Sequence, residues 1–149
     1  MPLIENDVTF AFLNASDPKF KFADRIFNRI RSGSLKVSLS SVALIEMELV
    51  YRSEGREEGL LKDMAALASI PNAEFEPLTP DVALSAVYLR QTFHLGFFDS
   101  HYAATALKLD RNIISFDRAY DAVKGLNRLD PATEGRDAES EDDGVRQQE

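Results

Sequence analysis

Carboxylates stand at four places where a folded chain does not easily tolerate them. Glu5 and Asp7 break the apolar run PLIENDVTFAFL, Glu46 lies inside SVALIEMELV, Asp99 sits in FFDSHYAATAL, and Asp117 follows NIISF. An ionised carboxylate withdrawn from water costs several kcal/mol unless something compensates it. Two of them 4 Å apart repel by about 4 kcal/mol at an effective dielectric near 20. A cluster of such groups must hold either protons or a cation. Oxygen-only ligands suit Mg²⁺ or Mn²⁺, and Mg²⁺ usually keeps waters and takes phosphate oxygens as further ligands. The chemistry this points to is phosphoester cleavage, with an activated water and a stabilised leaving oxygen.

Helical geometry, at 100° per residue, separates these acids from ordinary ones. With Glu46 at the origin, Val42, Ala43, Leu49 and Val50 fall within about 60° on either side, which places the carboxylate inside an apolar stripe. Glu48 lies about 160° away and is expected to pair with Arg52 at i+4. Around Asp99, Tyr102, Ala103 and Ala106 share one side, with Leu107 and Leu109 flanking. The plain alternative for Asp99 is a first-turn acid favoured by the helix dipole, and for Asp117 a turn-opening aspartate. Glu5 and Asp7 share a face if a strand runs through both; if a helix starts at Asp7, that residue is a cap. Residue types favour Glu5 only slightly as the ligand there, and Asp121, four residues past Asp117, is a weaker candidate.

The elements that must position these groups alternate between strand and helix. A short strand over residues 2–6 leads into a brief helix. DPKFKFADRIFNRIRSG predicts a helix with Asp17 as its N-cap, Pro18 at its first position and Gly33 just past its end. SLKVSLS reads as a strand, SVALIEMELVYRSEG as a long helix, and EEGLLKDMAALASI as another that stops at Pro71. AEFEPL reads as an edge strand. Thr79 and Pro80 open the helix DVALSAVYLRQTF, and FFDSHYAATALKLD forms the next; NIISF and LNRL close as strands. The alternation predicts an α/β fold: a three-layer α/β/α domain with a mainly parallel, four- to five-stranded sheet. Sites in such sheets lie beyond the carboxyl ends of the strands, where Glu5 and Asp117 fall.

The 149-residue chain suggests one domain over residues 1–131, and 44% hydrophobic residues are enough for a real core. Residues 132–149, ATEGRDAESEDDGVRQQE, carry seven acids and two arginines, −5 of the chain's net −8. They have almost no large apolar residue, so they read as an acidic disordered tail. No apolar stretch approaches the ~18 residues of a membrane span, and no basic-then-apolar leader opens the chain. A cytoplasmic protein is expected. The absence of cysteine removes disulfides, thiolate zinc sites and a Cys nucleophile. Seven glycines and no Gly-Lys-Ser/Thr sequence leave no phosphate-binding loop. His94 and His101 are separated by Gly96, against a shared helix face for acid–base catalysis. Arg25, Arg29, Arg31 and Lys36 offer phosphate contacts, although a solvated face explains them as well. Phe22, at the edge of the first long helix's apolar stripe, hints at a partner surface, with core packing the plainer reading.

In order and spacing these motifs resemble the PIN-domain ribonucleases, close to the VapC toxins of toxin–antitoxin pairs. IENDV is similar to the family's strand-end Asp motif, with Glu5 in the Asp position and Asp7 in a usual Asn position. SSVALIE supplies Ser40 or Ser41 and Glu46; FFDSHYAATAL supplies Asp99; SFDRAY supplies Ser115, Asp117 and Tyr120. The likeness spans residues 2–131. It implies an endoribonuclease dependent on Mg²⁺ or Mn²⁺ that cuts single-stranded or structured RNA, homodimerises and is inhibited by a small antitoxin. Asp99, Asp117 and Glu5 or Asp7 would hold the metal, Glu46 would orient or deprotonate water, and Ser115 or Ser40 would support them. Two departures stand out: the extra methylene of Glu5, and Ala119 where many relatives carry a further acid. They support a rival of another class, an inactive PIN-like module that binds RNA or protein. A lower-ranked rival is a haloacid-dehalogenase-type phosphohydrolase, since ENDVT resembles its Asp-x-Asp-x-Thr loop with Glu5 as nucleophile.

Overall fold

A computed structural model of the chain describes residues 1–134; the expected acidic tail past Glu134 lies outside the described residues. The short strands are β1 (Leu3–Ile4), β2 (Val37–Ser40), β3 (Ala73–Glu76), β4 (Asn112–Ile114) and β5 (Asn127–Leu129), with Val, Ile and Leu concentrated in β1, β2 and β4. They pair in the order β3-β2-β1-β4-β5, and every ladder is parallel. The expected three-layer α/β/α domain is therefore present with a five-stranded, all-parallel sheet. The helices are α1 (Asn6–Leu13), α2 (Phe20–Ser32), α3 (Val42–Ser53), α4 (Leu60–Ala68), α5 (Pro80–Phe93) and α6 (Phe97–Lys108). Short 3₁₀ turns cover Glu57–Gly59 and Arg118–Ala122.

Successive residues of a strand point to opposite faces, and the two cores follow from that alternation. Ile4, Leu39 and Ile114 meet Val8 of α1, Ile26, Phe27 and Ile30 of α2, and Met47 and Tyr51 of α3. Leu3 and Ile113 meet Ala86 and Leu89 of α5 together with Tyr102, Ala103 and Ala106 of α6. Burying large side chains on both faces contributes about 1.5–3 kcal/mol for each Leu, Ile or Phe.

Local signals hold in most places. Gly33 ends α2 in the left-handed conformation at φ 84°, and its N–H donates to the Ile30 carbonyl. Thr79 caps α5, accepting from the Val82 amide at 3.4 Å, with Pro80 as the first helical residue. Asp17 departs from expectation. Its carboxylate accepts from the Lys19 amide at 2.8 Å and its carbonyl from Phe20, so it caps a turn, and α2 starts at Phe20. The stripe on α3 also differs. Its buried residues are Val42, Ala43, Met47 and Tyr51, while Leu49 is 53% exposed, so Glu46 stands at the edge of the buried face. Glu48 and Arg52 are both exposed and do not pair with each other among the described residues, in keeping with the small value of a solvent-screened contact. Residues 132–134, which composition places in the tail, fold back: Arg29 Nη1 donates to the Glu134 carbonyl at 3.2 Å and lies 3.8 Å from its carboxylate.

Candidate active site

β1 lies between β2 and β4, and the chain first builds β2 and β3 on one side before returning to place β4 and β5 on the other. Ligand sites in open parallel sheets form at such a reversal, beyond the carboxyl ends of the strands. Glu5 immediately follows β1, and its N–H bonds the Ile114 carbonyl at 3.0 Å. The backbone turns into α1 at Asn6, which puts Asp7 in the first helical turn. Ser115 immediately follows β4, and α3 and α6 supply Glu46 and Asp99. Neither sequence alternative for the Glu5–Asp7 pair is realised as stated: Glu5 occupies the cap position with extended backbone, and Asp7 lies inside the helix.

Neutral donors hold these carboxylates. Ser115 Oγ lies 2.8 Å from Asp7 Oδ2 and 3.1 Å from Glu5 Oε2, and it accepts from the Asp117 amide at 3.0 Å. The Phe116 amide donates to Asp7 Oδ2 at 2.8 Å. Glu46 Oε1 receives Asn6 Nδ2 and the Tyr102 hydroxyl, each at 3.0 Å. The Tyr120 hydroxyl donates to Asp99 Oδ1 at 3.2 Å. Asp117, exposed, caps the Arg118–Ala122 turn by accepting from the Ala119 amide at 2.9 Å. The turn-opening reading of Asp117 therefore holds alongside its place at the rim of the cluster.

The charges couple across the site. Glu5 is 5% exposed, and burial, then the Asp7 carboxylate beside it, then Asp99 and Glu46 hold its carboxyl well above the usual range. Burial also raises Asp7, partly offset by the donors around it. Glu46 is raised by burial, against its bonds from Asn6 and Tyr102, with Asp99 and Asp7 adding to the rise. Asp99 is raised by burial, and the charges of Asp117 and Asp7 act in the same direction. None of these four acids forms an ion pair among the described residues, and a cation is not among the leading influences on any of them. The Glu5 and Asp7 carboxyls are hydrogen-bond neighbours, a contact that requires a proton or a cation between them.

The remaining candidates sit elsewhere or play other parts. Ser40 Oγ accepts from the Val42 amide at 3.1 Å at the start of α3, and Ser41 Oγ donates to the Glu76 carbonyl at 2.7 Å. Neither hydroxyl bonds one of the acids among the described residues. Asp121 pairs with Arg128 at 2.9 Å, which lowers its carboxyl, and it stands apart from the cluster. His94 ends α5 in the left-handed conformation and His101 is buried in α6; no shared imidazole site forms. Phe22 is half-buried with its ring 6.5 Å from that of Phe116, which fits the packing role. A cavity of about 580 Å³ lies between α5 and α6, and none of the acids lines it.

Sequence reasoning missed three contributors. Asn6 is 1% exposed and also donates to the Ala43 carbonyl at 2.9 Å, joining α1 to α3. It was visible as a polar residue in an apolar run. Tyr102 lies one turn from Asp99 and looked like core. Arg128 Nη1 donates to the Ser115 carbonyl at 3.0 Å and so braces the loop that carries Ser115 and Asp117; a β-strand arginine gives no such signal beforehand.

The donor set fits a hard divalent ion, because it is made only of oxygen and carries excess negative charge. Asp7 Oδ1 is buried without a hydrogen-bond partner. Among the described residues no group of three or more Asp, Glu or His side chains surrounds one point closely enough to hold a metal. An ion that takes one or two carboxylates directly and reaches the rest through its waters fits this arrangement; an all-carboxylate cage does not.

Comparison with known proteins agrees with the fold. The PIN domain family profile matches residues 5–126. The VapBC2 complex of Rickettsia felis, bound to a promoter DNA fragment, aligns at 13% identity over 85% of this chain and 96% of that chain, with a TM-score of 0.66. VapC20 of Mycobacterium tuberculosis, a toxin that cleaves the sarcin–ricin loop, aligns at 20% identity over 82% and 94%, also with a TM-score of 0.66. A toxin–antitoxin complex of Klebsiella pneumoniae aligns at 17% identity over 88% and 98%, with a TM-score of 0.63. By sequence, no curated protein gives a significant match.

Proposed function

We propose that this chain, which belongs to the PIN domain family, is a Mg²⁺- or Mn²⁺-dependent endoribonuclease and the toxin of a toxin–antitoxin pair. The observation that carries this reading is the convergence of Glu5, Asp7, Glu46 and Asp99, each raised by burial, with no ion pair to any of them among the described residues. Asp99, Asp117 and Asp7 or Glu5 would hold the ion, directly or through water. When bound, it supplies a more acidic water and stabilises charge on the departing oxygen. Glu46 takes the proton of the water that attacks phosphorus as the P–O bond to the leaving nucleotide breaks. Burial raises its carboxyl, which makes it a stronger base than an exposed carboxylate, and both bonds to it converge on Oε1, which fixes its direction. Ser115 orients Glu5 and Asp7, and Tyr120 orients Asp99. Ser40 acts indirectly, by capping α3.

An antitoxin partner, a second copy of the chain and a cytoplasmic location belong to the same proposal; the toxin–antitoxin complexes among the structural neighbours support the first of these. No helix of the described residues is long and apolar enough to cross a membrane.

The test compares cleavage of a mixed RNA panel by wild type and Asp99→Asn, in Mg²⁺, in Mn²⁺ and in EDTA. Metal-dependent cleavage lost in the variant is expected. Cleavage that persists in EDTA or survives the substitution sinks the mechanism. A second reading, an inactive binding module, is favoured by one observation: a shared proton can settle the Glu5–Asp7 pair without metal. RNA binding with neither cleavage nor metal uptake selects it. Release of inorganic phosphate from phosphomonoesters would select the phosphohydrolase, which the family match does not support.

A further inference from the structure

Beside Asp99, at the first position of α6, Phe97 exposes 60% of its surface. A lone exposed phenyl ring is unremarkable on a protein surface. This one is built in. The Arg90 guanidinium carbon lies 5.1 Å from its centroid, the His101 ring 5.1 Å away and tilted, and the Phe98 ring 5.2 Å away and perpendicular. Arg90 Nη1 donates to Ser100 Oγ at 2.8 Å, and Ser100 Oγ donates to the Phe97 carbonyl at 2.7 Å. A neutral hydroxyl thus fixes Arg90, and the guanidinium has no acidic partner among the described residues. His101 Nδ1 beneath the ring is buried without a hydrogen-bond partner. A half-buried arginine with no acidic partner among the described residues, bonded to Ser100, the residue after Asp99, retains its charge for something else.

We infer that Phe97 and Arg90 form a nucleotide subsite beside the acids, where an unpaired base stacks on the ring and guanidinium and its phosphate meets Arg90. The inference rests on the reading of the acid cluster as an RNA-cleaving site and assigns to Phe97 and Arg90 the contact with one unpaired nucleotide of that RNA. Aromatic rings and arginine planes both stack bases, which a duplex keeps inside its own stack. Tyr102 and Tyr120 are buried, and Phe116, with Lys19 Nζ 4.8 Å above its ring, is half-buried against Phe22 and the core and offers less face. Phe97 is the exposed one.

The test uses the full chain in EDTA, where turnover is suppressed, with a single-stranded oligoribonucleotide carrying 2-aminopurine and a duplex of equal length. Wild-type binding should quench 2-aminopurine fluorescence in the single strand. Phe97→Ala should weaken that binding about five- to hundredfold and relieve the quenching, whereas Phe97→Tyr retains both within about threefold. Arg90→Gln should reduce the slope of log affinity against log salt by about 0.7, the value for one phosphate contact on a single strand. Single-strand binding by Phe97→Ala equal to wild type, an equal loss on duplex, or no single-strand binding by wild type would overturn the inference. The two readings separate cleanly. Phe97-dependent single-strand binding without any hydrolysis in Mg²⁺ or Mn²⁺ keeps the subsite and removes the nuclease. Hydrolysis with Phe97-independent binding does the reverse.

Discussion

Replacing Glu5 by Gln should make the metal-free protein more stable at pH 8 and leave it almost unchanged at pH 5. Glu5 is 5% exposed, and burial followed by the Asp7 carboxylate raises its pKa in the folded state. A carboxyl raised on folding contributes stability that is fully present below the unfolded value, near 4.3, and is lost as pH climbs through the folded value. Gln keeps an acceptor for Ser115 Oγ, now 3.1 Å from Glu5 Oε2, and adds an amide donor beside Asp7, whose Oδ1 has no partner. Relieving one buried unsatisfied group is worth about 1–3 kcal/mol. For a domain of this size about 4 °C accompanies each kcal/mol, so the melting temperature at pH 8 rises by roughly 4–12 °C. Thermal unfolding of both proteins in EDTA at pH 5 and pH 8 measures it. A variant less stable than wild type at pH 8, or a difference that ignores pH, would refute the reasoning, since Glu5 would then be ionised at no cost.

Adding Mg²⁺ or Mn²⁺ at about 100 times its dissociation constant should stabilise the wild type by about 2.7 kcal/mol, read as a rise in melting temperature. The rise should be larger at pH 8 than at pH 5.5, because protons compete for the same oxygens, and smaller in Asp99→Asn. Tyr102→Phe removes a donor from the charged form of Glu46, raising that pKa further. The acidic limb of the cleavage profile should therefore move to higher pH, and stability should fall by about 1.5–3 kcal/mol; an unmoved limb contradicts the base role of Glu46. Asp121→Asn should leave cleavage within about twofold in a kinetic assay, because its contact with Arg128 is half-exposed and lies outside the acid cluster.

Most of the fold could be read in advance because its signals are local. Alternating strand and helix patterns, Gly33, Thr79 and Pro80 each act over a few residues, and they mark the elements that carry the acids. The errors come from tertiary context. A 100° wheel centred Glu46 among apolar residues, yet Leu49 proved exposed, since the faces α3 buries are set by the sheet and the other helices packed on it. Asp17 caps the turn that precedes α2, and the helix's N-cap position falls two residues later, at Lys19. At the site, the type and flanks of the acids were legible. The donors were not: Asn6, Tyr102 and Arg128 act on groups 40, 56 and 13 residues away, and no local pattern encodes such partners.

The choice of donors carries the functional argument further than the acids themselves. A buried carboxylate can be oriented by a cation or by a neutral group. An arginine orients and neutralises at once, giving a settled ion pair with little reason to bind anything else. A hydroxyl, amide or peptide N–H fixes direction and leaves nearly the full charge in place. Every side-chain donor to Glu5, Asp7, Glu46 and Asp99 among the described residues is of the second kind. The arginines nearby are engaged otherwise, Arg128 with Asp121 and the Ser115 carbonyl, Arg90 with Ser100 and Phe97. Such a pocket is less stable than one holding salt bridges, and its repulsion falls only when a proton or a divalent ion enters. Selection for stability alone would have placed a cation among these acids; leaving them uncompensated makes sense where the compensating charge arrives with the chemistry.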